Sequence, residues 1–391
     1  MDFNTMTNRK QTGSVKWDMM GELFGDEECL PMWVADMDFE NATSIKEALK
    51  ELIDQTILGY DFPKDSLFES IINWQADFHG MDISKEEILF SPGVLPSISS
   101  IIQAFTKPGD GVLIHDPVYG AFSDMVLKND LNIIRSTLLI EDNRYVMDYE
   151  DMEKQLKNQS VKLFILCNPH NPGGRVWTRE ELKKVIDLCI KHNVLIISDE
   201  IHSDLVFSEH TCVSAVTIDE RYKDWVITLH SATKTFNLAG IKASFLIIYN
   251  EELRHKTNQS LEKTQSHTIN SFAMCATEAA FNTARDWHKA LLVQLDHNRQ
   301  LVKTFFDKQL PHVSYMVPEA TYLFWFDASS LGVNHTELTK AFVTTGKVAL
   351  NAGSSYGPSG SSYMRLNFAM PQSLVEDGLN RVKKVFDTHS A

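Results

Sequence analysis

The sequence is poor in the features that mark secreted, metal-binding or nucleic-acid-binding proteins. Its five cysteines, Cys29, Cys167, Cys189, Cys212 and Cys275, are odd in number, and no two stand in a C-x-x-C spacing. That argues against a disulfide framework and a cysteine zinc site; no metal is expected, and the reducing cytoplasm is the expected compartment. Basic residues are in deficit: 37 Lys and Arg against 52 Asp and Glu give a formal net charge of −15. A phosphate backbone demands a basic face, so no nucleic-acid partner is expected. A small phosphate is not excluded, because a few local donors hold it. No apolar run approaches the ~20 residues needed to cross a bilayer. The first residues, Met1 to Lys10, have no apolar signal core. Membrane association is therefore not expected. Repeats, low-complexity stretches and Gly/Ser linkers are also absent, which suits one compact unit with a cleft.

What is present is a chain of 391 residues, 43% of them hydrophobic. That length suggests two domains of the usual ~100–200 residues. The middle of the chain alternates strand-like and helix-like stretches. Val112–His115, Val161–Cys167, Val194–Ser198, Trp225–Leu229 and Ser244–Tyr249 read as strands, and Glu180–His192 as a helix with Leu182, Val185, Ile186 and Cys189 on one side. This alternation predicts an α/β fold with a mostly parallel sheet covered on both faces. In such sheets ligands sit at the carboxyl ends of the strands. After about Asn282 the pattern changes to a long helix, Arg285–Gln309, strands Thr321–Phe326 and Tyr363–Phe368, and helices Thr336–Thr344 and Ser373–Phe386. The division expected is a large domain over 41–284, with 1–40 and 285–391 forming a smaller α+β domain.

Several candidate residues fall at the strand ends. Lys234 follows strand Trp225–Leu229 in His230-Ser231-Ala232-Thr233-Lys234. A buried lysine there can form an imine, because burial and nearby cations lower its pKa; a lysine in a loop is more often simply solvated. Asp199 ends the preceding strand, where a carboxylate can keep a pyridine nitrogen protonated or merely cap a helix. Asn168-Pro169-His170-Asn171-Pro172-Gly173-Gly174 makes a sharply turned loop after Val161–Cys167, in which Asn171 can donate to a phenolate oxygen. Ser91-Pro92-Gly93-Val94-Leu95 opens a helical stretch and can cradle a phosphate. Arg365 lies on a late strand, where its planar fork suits a carboxylate; a structural salt bridge competes.

In order and spacing, these motifs resemble the fold-type I pyridoxal-phosphate enzymes, the aspartate aminotransferase-like superfamily, over nearly the whole chain. The resemblance implies pyridoxal 5'-phosphate held as a Schiff base on Lys234, with Asp199 at the pyridine nitrogen and Asn171 at the ring hydroxyl. Tyr119, in Asp116-Pro117-Val118-Tyr119, resembles the residue stacked on the ring. Gly93, Val94 and Ser231 resemble phosphate binders, and Arg365 the clamp on the substrate carboxylate. Tyr60 resembles the tyrosine that crosses a homodimer interface to a shared active site. Two positions depart from the pattern: His202 stands where most relatives carry a tyrosine on the ring oxygen, and Lys242 where many carry a phosphate-binding arginine. Lys16-Trp17-Asp18, the run Met32–Phe39, Asp199–Leu205 and Thr235–Gly240 resemble the MalY/PatB-type carbon–sulfur lyases. The implied activity is β-elimination from L-cystathionine or a related cysteine S-conjugate. Ala35–Phe39, with Ala35 at the substrate, and Ala352–Gly357 are the expected side-chain pocket. An aminotransferase on the same scaffold is the nearest rival, and a regulatory binding protein a more distant one.

Overall fold

The computed structural model describes residues 2–158 and 160–389. Its centre is a seven-stranded sheet. The strands are β1 (Ile88–Ser91), β2 (Gly111–Asp116), β3 (Asn132–Thr137), β4 (Val161–Cys167), β5 (Leu195–Asp199), β6 (Val226–His230) and β7 (Ser244–Ile247). They lie in the order β1-β7-β6-β5-β4-β2-β3. Pairing is parallel from β6 through β5, β4 and β2 to β3, while β7 runs antiparallel to both neighbours. The mostly parallel sheet expected from the sequence is therefore present, with one reversed strand that apolar patterning does not reveal.

The strands are near-continuous apolar runs because both faces are covered. Side chains alternate between two buried clusters. Leu113, Phe164, Leu166, Ile196 and Val226 enter one, while Val112, Ile114, Leu163, Ile165, Ile197, Ile227 and Leu229 enter the other. Each such side chain contributes about 1.5–3 kcal/mol by leaving water. The carboxyl ends of β2, β4, β5 and β6 share one edge, and the first residues beyond them carry the site.

A four-stranded antiparallel sheet lies later in the chain, in the order β8-β9-β11-β10. Its members are β8 (Tyr315–Met316), β9 (Leu323–Asp327), β10 (Asn351–Ala352) and β11 (Tyr363–Asn367). A long helix, Arg285–Gln309, spans the length read from its periodicity. Helix His335–Ala341 is shorter than the sequence suggests, because a π-helical turn, Phe342–Gly346, replaces its last residues. The N-terminal segment joins this side: Leu30–Pro31 pairs in parallel with Val348–Ala349. Among the described residues no helix is long and apolar enough to cross a membrane.

The two sheets meet through loops packed too closely for side chains. A Cβ on Gly120 would lie 1.9 Å from the Ser355 carbonyl oxygen, and one on Gly357 would lie 2.0 Å from Asp116 Oδ1. The Val118 N–H donates to the Tyr356 carbonyl at 2.9 Å across the same junction. Gly120→Ala is expected to force this junction apart and destabilise the fold by about 1–3 kcal/mol, the usual cost of overpacking. Gly240→Ala, where a Cβ meets open space, should stay within about 0.5 kcal/mol. Equilibrium urea unfolding of both variants checks the contrast.

Candidate active site

Lys234 sits on a single helical turn, Ala232–Thr235, directly after β6. Ser231 caps that turn: its Oγ accepts from the Thr233 N–H at 3.0 Å and lies 2.6 Å from the Ala243 carbonyl. The single hydroxyl proton goes to Ala243, so Ser231 reaches a phosphate only by giving up that bond. The turn is held from behind by Asp204. This buried carboxylate accepts from Thr235 Oγ1 at 2.6 Å and Trp74 Nε1 at 3.0 Å, and lies 2.7 Å from His79 Nε2.

Lys234 Nζ donates to the Ala35 carbonyl at 2.6 Å. Burial, with the Arg365 cation adding, lowers its pKa to about 8. Asp199 ends β5, next to Cys167 of β4 in register. Its Oδ1 accepts the Ile201 N–H at 3.1 Å, and burial raises its pKa to about 7. No ion-pairing cation stands within reach of it among the described residues. A buried carboxylate in that condition calls for a cationic ligand.

Arg365 makes the complementary demand. It lies in β11 and is buried. Its Nη1 donates to Asn171 Oδ1 at 3.0 Å, and its Nη2 donates to the Trp33 carbonyl at 2.8 Å and Asn351 Oδ1 at 2.6 Å. All three acceptors are neutral, and its Nε has no partner. No described carboxylate pairs with it. A buried guanidinium without an anion calls for one from a ligand. Asn171 turns its Oδ1 to Arg365 and leaves Nδ2 available as a donor. Its loop contains cis bonds at Asn168–Pro169 and Asn171–Pro172.

The remaining expected residues fall as follows. Gly93 precedes the helix Val94–Phe105. The Val94 and Leu95 N–H groups lie in the first turn, have no partner within the helix and favour an anion. Tyr119 is partly exposed just beyond β2, and burial raises its pKa, with Arg365 opposing and Asp199 adding. His202 is buried with Nδ1 unpartnered. Burial, then the cations of Lys234 and Arg365, hold it well below its ordinary pKa, so it is a neutral imidazole. Lys242 is exposed, at a left-handed backbone position. Tyr60 is fully exposed and makes no ring contact or side-chain hydrogen bond among the described residues.

Sequence reasoning missed Tyr322 and Asn351, and reached Tyr356 only as part of the expected pocket segment Ala352–Gly357. Tyr322 OH donates to the Ala35 carbonyl at 2.9 Å, the same oxygen that Lys234 reaches. It follows Thr321, whose φ of 73° is unusual for a branched residue. The Tyr356 ring lies 5.2 Å from the Arg365 guanidinium. None of these stands in a motif; only the positive φ at Thr321 marks a site, and φ is invisible in sequence.

A buried amine, a carboxylate in no ion pair, a guanidinium in no ion pair and an open helix N-terminus fit a phosphorylated pyridine aldehyde together with an amino acid. The family model for class I and II aminotransferases matches residues 27–382, and the chain belongs to that family. Within it, the chain is 43% identical over 383 residues to cystathionine beta-lyase PatB of Bacillus subtilis, covering 98% of this chain and 99% of that protein. It is 31% identical to protein MalY of Escherichia coli, covering 97% of both. The solved structure of cystalysin from Treponema denticola, which contains a pyridoxal 5'-phosphate cofactor, superposes with a TM-score of 0.96 at 33% identity and 99% coverage of each chain.

Without cofactor, acylation of Lys234 by an amine-reactive reagent should show a midpoint near pH 8, the lowered pKa of its amine. Arg365→Leu removes a cation that disfavours the ammonium form, so the midpoint should rise toward the ordinary 10.5. Mass spectrometry across a pH series reads both values. A midpoint unmoved in the variant would remove Arg365 as a cause.

Proposed function

We propose that this chain is a pyridoxal 5'-phosphate-dependent carbon–sulfur β-lyase. Its substrate is L-cystathionine or a related cysteine S-conjugate, and its products are a thiol, pyruvate and ammonia. One observation carries the reading of an amino-acid site. Lys234 and Arg365 reach the same short segment, at the Ala35 and Trp33 carbonyls. The Arg365 charge also acts on the Lys234 amine, so the two groups share one site, as the two ends of an α-amino acid require. The choice of elimination rests on the names of the relatives, PatB above all.

Lys234 would hold the cofactor, with Asp199 at its ring nitrogen, Asn171 at its ring hydroxyl, Tyr119 on its face, and Gly93, Val94, Ser231 and Lys242 at its phosphate. His202 would make a second contact to the ring oxygen. Bound there, the cofactor supplies an electron sink beside the substrate α-carbon. Arg365 holds the substrate carboxylate by its planar fork. The amine of Lys234, with its pKa near 8, takes the α-proton at Nζ and can return it. The Asp199 carboxylate would stabilise a proton on the ring nitrogen, which in turn would favour its ionised form. Ala35 and Tyr322 fix the position of Nζ when it is free. The carbon–sulfur bond breaks with its electron pair on sulfur. Water then converts the three-carbon remainder to pyruvate and ammonia.

The holoenzyme, given L-cystathionine and no keto acid, should release pyruvate and free thiol in equal amounts over many turnovers. Lys234→Ala should cut this by at least ~10²–10⁴-fold, the usual contribution of positioned proton transfer. A single turnover that stops with an aminated cofactor would make the protein an aminotransferase instead.

The same reading includes a homodimer. The exposed run Ile57, Leu58, Tyr60 and Phe62 is apolar surface that suits a second copy. If Tyr60 serves the partner's site, Lys234→Ala and Tyr60→Ala chains refolded together should recover about a quarter of wild-type activity, one intact site in each mixed dimer. No recovery beyond the activities of the two variants alone would show that Tyr60 does not serve the partner's site.

A further inference from the structure

We propose that Tyr356 is a substrate-binding residue: its hydroxyl donates a hydrogen bond to the substrate α-carboxylate beside Arg365. The inference rests on the reading of Arg365 as the carboxylate clamp. Tyr356 stands in the segment Gly353–Tyr356 between β10 and β11, the two strands that carry Asn351 and Arg365. Its position is over-determined. Its carbonyl accepts the Val118 N–H at 2.9 Å. Its ring packs edge-on against Trp325 at 5.3 Å and lies 5.2 Å from the Arg365 guanidinium. Gly353 and Gly360 pack backbone to backbone on either side: a Cβ on Gly353 would lie 2.0 Å from the Gly360 carbonyl oxygen.

So fixed, the phenol is 4% exposed, yet its hydroxyl makes no hydrogen bond to any described residue. It is not among the polar atoms sealed from solvent, so water can satisfy it in the free protein and a ligand oxygen can take that place. The charged and titratable groups coupled to it are Arg365 and Tyr119, both residues of the site, and burial raises its pKa to about 12. It is a proton donor, not a base, throughout the neutral range. Beside a guanidinium, the group that needs a further donor is an anion. Arg365 already spends three N–H bonds on neutral acceptors, so a second donor strengthens the hold on a carboxylate.

The test compares the wild-type holoenzyme with Tyr356→Phe, which keeps the ring, its packing and its cation–π contact. The probe is 3-(methylthio)propionate, which has the carboxylate and thioether but no amine and cannot react. Calorimetry should show its affinity reduced about tenfold, as for loss of one hydrogen bond to a charged group. KM for L-cystathionine should rise by a similar factor, with kcat within about twofold. Unchanged affinity and KM would overturn the proposal. A loss confined to kcat that grows with the pKa of the leaving thiol would overturn it too, by placing the hydroxyl at sulfur. Arg365→Gln tests the underlying reading separately: if it leaves the affinity of the probe unchanged, the clamp itself is misassigned, whatever Tyr356 does.

Discussion

The arrangement turns on a buried guanidinium with no anion of its own. Burying an unneutralised charge costs several kcal/mol, even when hydrogen bonds offset part of it. Arg365 is stabilised by Asn171 from the loop after β4, by Trp33 from the N-terminal segment, by Asn351 from β10 and by the Tyr356 ring. These come from both sheets and from the chain's beginning. Holding one cation therefore requires all three parts to meet at one point. The same cation lowers the pKa of Lys234, so the residue that binds substrate also tunes the residue that moves its proton.

The N-terminal segment explains why the site needs more than two sheets. Between Trp33 and Met37 every backbone carbonyl has a donor. Arg365 takes Trp33, Asn367 takes Val34 and Asp36, Lys234 and Tyr322 share Ala35, and Arg9 and Asn237 share Met37. The segment is in turn clasped through its side chains. Arg9 pairs with Asp36 at 2.6 Å, and Asp38 accepts from Arg9, Lys16 and Trp17 at 2.6–2.8 Å. Asp18 gathers the N–H groups of residues 11–14. The Lys16-Trp17-Asp18 motif thus works at a distance from the chemistry: it fixes the strip of carbonyls that aims the amine and the guanidinium.

Much of this was legible in the sequence where local pattern and chemistry coincide. Strand Val161–Cys167 and helix Arg285–Gln309 were read to the residue, because each is a long periodic run bounded by turn residues. The placing of Lys234, Asp199 and Asn171 at or just beyond strand ends was legible because short distinctive runs follow β6, β5 and β4. The antiparallel course of β7 was not, since a buried strand looks the same in either direction. The π turn at Phe342–Gly346 hid within a helical pattern. Tyr322 was invisible for a further reason, and Tyr356 was legible only as part of the segment Ala352–Gly357: their roles depend on backbone carbonyls and on which loops meet, and neither leaves a mark in residue type.

The buried cluster behind Lys234 shows how residue type can also mislead. His79, Asp204 and His230 bring three potential metal ligands within 4.8 Å of one another. Yet the Asp204 oxygens already accept from Trp74 and Thr235 and face His79. His230 Nε2 lies 3.0 Å from Ser203 Oγ. A metal would have to strip these bonds from a site closed to water. The hydrogen bonds account for the cluster without one. Asp204 stands five residues after Asp199, on the same loop, and grips the residue that follows Lys234. One short stretch of chain thereby braces both the carboxylate and the lysine, adding to the pairing of β5 with β6 that already sets their separation.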